Sequence, residues 1–108
     1  MINILNSLSS SDIGVLTFAL STLPSLNLAK SETQASANHQ LCLSAGRKLL
    51  LHEKTFSPNE LRVILASLHS LQLINQDLLE CDDETKQKCK THSLAINRLV
   101  SIFDGALS

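Results

Sequence analysis

Leu61, Ile64, Leu68, Leu71, Asn75 and Leu78 follow one another at alternating spacings of three and four, the rhythm that keeps side chains on one stripe of a helix of about 3.6 residues per turn. The run has its own start signal. In Phe56-Ser57-Pro58-Asn59-Glu60-Leu61, Ser57 offers its hydroxyl to the free amides of the first turn and Pro58 takes a position that needs no N–H. Glu60 closes a capping box, and Phe56 can staple onto Leu61. The pattern predicts a helix from this cap to about Leu79.

Moving 48 residues toward the N-terminus repeats much of it: Ile13, Leu16, Leu20, Leu23, Asn27 and Lys30, preceded by Leu8-Ser9-Ser10-Ser11-Asp12, with Leu8 able to staple onto Ile13. The first four stripe positions are aliphatic in both copies, and the Asn recurs. A second capping signal follows each run. Ser31-Glu32-Thr33-Gln34 opens a predicted helix over 32–54, and Asp82-Asp83-Glu84-Thr85 opens one over 84–104, with Gly105 placed to end it. The chain therefore reads as two helical hairpins in tandem, residues 8–55 and 56–106, a period of about fifty residues. The second helices align less uniformly, since SETQ over DETK needs a shift of 52 whereas Ala45 over Ala95 and Leu49 over Leu99 need 50.

Short connections make neighbouring helices antiparallel, so the predicted fold is all-α, an antiparallel four-helix bundle in a single domain over residues 1–108. Pro24 interrupts the first helix. In mid-helix it removes a hydrogen bond and clashes with the preceding turn, at about 3 kcal/mol, so helix 1 is predicted to kink or break near Leu23.

Composition agrees with helices and narrows the function. A 44% apolar chain with no Trp, no Tyr and three Phe must build an aliphatic core, chiefly of Leu. Its Leu, Ala, Lys and Gln favour helix over strand, and three Gly with two Pro supply few turns. At a net charge of −1 the molecule has no field that steers it to phosphate backbones. Among Arg47, Lys48, Lys86, Lys88, Lys90 and Arg98, the three lysines alternate around a helix with no aromatic interleaved for base stacking. Nucleic acid is not an expected partner.

Three cysteines, an odd number, point to a reducing, cytoplasmic setting. The apolar run Ile13–Leu20 lacks the flanks of a signal peptide, because no Lys or Arg precedes Lys30, Asp12 abuts the run and no convincing cleavage site follows. No uncharged apolar run is as long as the ~20 residues needed to span a bilayer.

Candidate chemistry gathers in two pairs, His39 with Cys42 and Cys89 with His92. Cys89, His92, Ile96, Leu99 and Phe103 share a stripe, as do His39, Cys42, Gly46 and Leu49. Should the second and fourth helices converge, two Cys and two His would form a set that zinc accepts. Burial of the thiols in the core is the simpler expectation. The pairs lack a C-x-x-C knuckle, and those two helices are diagonal in the bundle. No cofactor is therefore expected, and a metal- or redox-responsive regulator is the alternative. Asn27 and Asn75 can fix register if buried, or simply sit exposed near helix ends.

Nothing suggests catalysis. Phosphate loops, nucleophile elbows and H-E-x-x-H are missing. Of the two acidic clusters, His52-Glu53 and Asp82-Asp83-Glu84, the second fits a helix start favoured by the macrodipole. Neither an enzyme nor a small-molecule substrate is expected.

What remains is surplus aliphatic surface. Leu41, Leu43, Leu49, Leu50 and Leu51 nearly encircle the second helix, while Val63, Leu65, Leu73, Ile74 and Leu79 flank the stripe of the third. Exposed contiguous aliphatic surface marks partner or self-association sites. The predicted partner-binding residues are Leu43, Leu50, Leu51, Val63, Leu65, Leu73 and Ile74. They belong to a non-enzymatic adaptor or regulatory protein, a homodimer or a subunit that docks a partner helix in a groove.

Overall fold

A computed structural model describes residues 2–3, 9–25, 32–51, 55–79 and 81–107. These are helical apart from one short ladder and the caps and turns between elements. The helices are α1 (Ser10–Ser25), α2 (Glu32–Leu50), α3 (Pro58–Asn75), α4 (Asp83–Thr91) and α5 (Ser93–Leu107). The ladder pairs β1 (Ile2–Asn3) with β2 (Thr55–Phe56), antiparallel, Ile2 opposite Phe56 and Asn3 opposite Thr55.

α1 and α3 begin as their sequences predict. The Asp12 N–H donates to the Ser9 hydroxyl at 3.2 Å while the Ser9 N–H donates to the Asp12 carboxylate at 3.0 Å. Ser57 and Glu60 make the same reciprocal pair at 3.2 and 2.9 Å, with Pro58 at the first helical position. Each box satisfies two amide donors that a helix start otherwise leaves without partners.

The far ends differ from expectation. α1 continues past the predicted break near Leu23, through Pro24 to Ser25, and residues 26–30 lie outside the described ones. α2 stops at Leu50, earlier than the predicted 54; Leu51 closes it by donating to the Arg47 carbonyl at 3.0 Å, and the chain is extended again by Thr55. α3 ends at Asn75 because Asp77 turns left-handed, at φ 59°. The Leu78 N–H then reaches the Leu73 carbonyl and the Asp77 N–H the Ile74 carbonyl, both at 2.9 Å, which is a Schellman stop.

The predicted fourth helix is two helices. His92, at φ −102° and ψ 15°, bends the rod between α4 and α5. At the bend the His92 N–H closes α4 on the Lys88 carbonyl at 3.0 Å, and the Ile96 N–H opens α5 on the His92 carbonyl at 2.9 Å. Thr91, His92 and Ser93 are three weak helix formers in succession, and the flanks have different jobs. α4 buries Cys89 alone, whereas α5 buries Ile96, Leu99 and Phe103. Gly105 lies inside α5 without positive φ, so it does not act as a stop.

α3 is the centre of the packing. It meets α1, α2, α4 and α5, while α2 and α5 each also pack on α1. In a four-rod bundle joined in chain order, the first and third rods would be diagonal; here they touch directly. Leu16, Leu49, Phe56, Leu61, Ile64, Leu68, Leu71, Ile74, Ile96, Leu99 and Phe103 are fully buried. Val63 and Ile74, expected on the partner surface, are core residues at 6% and 0% exposure. A helix packed on several sides has little outward face left. Ser67 and Ser70 are buried on the same helix, and their hydroxyls donate to the Val63 and Ala66 carbonyls.

Candidate functional site

α2 separates a buried edge from an outward one. Cys42, Ala45 and Leu49 enter the core. Next to them Ser44 and Lys48 reach Glu60 at 2.9 and 2.6 Å and hold α2 against the start of α3. The opposite face presents His39, Leu43, Arg47 and Leu50 to solvent. Leu43 is 50% and Leu50 68% exposed, seven residues apart, and Leu51 follows at 64%. Positions a heptad apart share a helix face, so Leu43 and Leu50 lie in line with Arg47 beside them.

The α3 candidates do not extend this surface as expected. Leu65 is half-buried against the core, and Val63 and Ile74 are inside it. Leu73, at 37%, and Leu78, at 66%, occupy the two positions of the Schellman stop that commonly rest on one another, so their exposure has a local use. Leu94 is 85% exposed on α5. It was passed over in the sequence although it lies two residues before Ile96, which puts it across the helix from the core stripe.

The two Cys–His pairs divide between core and surface. Cys42 and Cys89 are buried, His39 and His92 exposed. Among the described residues no three His, Cys, Asp or Glu side chains gather where they could hold a metal ion. Among the described residues α2 also lacks substantial contact with α4 or α5. Burial raises the Cys42 thiol, and burial reinforced by nearby Cys81 raises Cys89 to about 11. Both thiols stay protonated at neutral pH, a state that neither ligates metal nor attacks. Asn75, at the last position of α3, is half-buried; Asn27 and the His52-Glu53 cluster lie outside the described residues.

Two carboxylates carry the strongest electrostatics. Burial would raise Glu60, but the Lys48 ammonium, the Ser57 amide and the Ser44 and Ser57 hydroxyls together outweigh it and bring the carboxyl to about 2. Asp12 is likewise lowered despite burial, by the Ser9 amide, the Arg98 guanidinium and the Ser9 hydroxyl. Lys86 lies 3.8 Å from Asp77 and Lys88 3.5 Å from Glu84. Four of the six basic residues singled out in the sequence thus have an acidic partner within the chain.

Compared with known protein families, curated proteins and solved structures, the chain matches none. Among the described residues no helix is long and apolar enough to cross a membrane.

Proposed function

We propose that this chain is a small non-enzymatic helical interaction protein, an adaptor or regulator that works through the outward face of α2. The observation that supports it is the exposure of Leu43, Leu50 and Leu51 on a helix whose other edge is core. Covering these three leucines would yield about 1–2 kcal/mol each, comparable with the low end of the ~4–15 kcal/mol that association costs. Self-association through this face is therefore weak and concentration-dependent, and a partner that covers more surface binds more tightly. Three unbonded thiols, two of them buried, fit a reducing cytoplasm. The capping boxes 48 residues apart support descent from a duplicated helical hairpin, with α4 and α5 as a bent fourth rod.

Sedimentation velocity over a concentration series tests the proposal, with wild type beside a Leu43→Glu/Leu50→Glu variant. Glutamate suits an exposed helix position, so the variant should fold with unchanged helicity and sediment as a monomer, while wild type shows reversible dimer. A wild type that stays monomeric at the highest concentrations and sediments like the variant would rule out self-association through α2.

A further inference from the structure

α1 and α4 leave an opening between them. The α1 stripe Ser11, Gly14, Val15 and Phe18 faces Lys88 of α4 and His92 at the bend across a shallow, half-open cleft of ≈ 360 Å³. The floor is apolar, formed by Val15 and Phe18, and Gly14 keeps it open, since a Cβ there would meet nothing within 4 Å. The rim is polar and basic. The Lys88 ammonium stands 5.6 Å from the Phe18 ring centroid, with His92 one helical turn along. Lys88 has Glu84 as a partner at 3.5 Å, but both are exposed, 53% and 78%, and such a pair is readily exchanged for a better one. Asp12, beside Ser11 in sequence, is already committed to Arg98 and Ser9.

An apolar slot with the Lys88 ammonium and the His92 ring at one side complements an anion carrying a flat apolar body. We propose that this cleft binds a small aromatic carboxylate, its ring against Gly14 and Phe18 and its carboxylate between Lys88 and His92. The molecule is a ligand and not a substrate: among the described residues Ser11 shares its hydrogen bond with the Ser9 hydroxyl at 2.9 Å, and none joins it to His92.

A heteronuclear NMR titration with phenylacetate and its neutral isostere phenylacetamide tests this. Phenylacetate should give saturable shifts confined to the amides around Ser11–Phe18 and Lys88–His92, and phenylacetamide should bind roughly fivefold more weakly or worse for want of a charge-assisted bond. Lys88→Gln should weaken phenylacetate by a similar factor and leave phenylacetamide unchanged. Gly14→Leu fills the floor and replaces a poor helix former by a good one; it should abolish binding while Tm holds or rises. Shifts that are scattered or do not saturate, equal affinity for the two probes, or full binding by Gly14→Leu would each overturn the proposal.

Discussion

The starts of α1 and α3 use one device with two different tertiary partners. In each, a serine and an acid three residues later exchange hydrogen bonds, and in each the acid is buried. Glu60 is then met by Lys48 and Ser44 from α2, at sequence separations of 12 and 16. Asp12 is met by Arg98 alone from α5, 86 residues away and half-exposed. The α3 box thus joins neighbours in sequence through two donors besides its own amide, whereas the α1 box joins distant parts of the chain through one half-exposed cation. A short loop closes at less entropy than a long one, though only by about 0.6 kcal/mol per doubling. The larger difference is how many donors surround each buried charge.

Alanine separates the two most strongly. Glu60→Ala removes a cap and leaves Lys48 and Ser44 without their acceptor, so urea unfolding should show a loss of about 3 kcal/mol. Asp12→Ala frees a guanidinium that is already half in water and should lose about 2 kcal/mol. Equal losses, or a reversed order, would mean that donor number does not distinguish the boxes.

Acid gives the next effect. A carboxyl whose folded pKa lies below its unfolded one contributes stability that is complete above the unfolded value and vanishes as pH falls through the folded one. For Glu60 that window runs from 4.5 down to about 2. Wild-type unfolding free energy should fall by about 2–3 kcal/mol on acidification across it. In Glu60→Gln the decline should be shallower by most of that amount and retain the Asp12 share. An unchanged slope would show that Glu60 is not the group being titrated.

The smallest expected effect concerns the other end of α3. Asp77 holds a left-handed φ that only glycine adopts freely, and its charge adjoins the negative end of the helix macrodipole. Asp77→Gly should raise stability by about 0.5–1 kcal/mol in the same urea assay, although it removes the exposed pair with Lys86. A loss of stability would show that this pair outweighs the backbone strain. It would extend the contrast between boxes held by several partners and ends held by one.

Both boxes were legible in the amino-acid sequence because a cap is local chemistry: Ser57 and Glu60, or Ser9 and Asp12, need only three residues of spacing to find each other. Their cations were not legible, because Lys48 and Arg98 look like any solvated charge until α2 and α5 are folded against the caps. The bend at His92 was missed for a related reason. Cys89, His92, Ile96, Leu99 and Phe103 do keep helical spacing, and periodicity cannot register a break that leaves that spacing unchanged. Of the candidate surface, Leu43, Leu50 and Leu51 face out as expected. Val63 and Ile74 do not, since how much of a helix is covered depends on how many neighbours it has, and α3 turned out to be central.

α4 rests on the core through a single buried thiol. Whenever that short rod lifts, Cys89 must come into water and lose the burial that raises its thiol above the ordinary range, so that it ionises more readily. Read at Cys89 itself, apart from half-exposed Cys81, its rate of capture by an alkylating reagent is thus a clock for the lifting of that one element, built into the chain with no label to add.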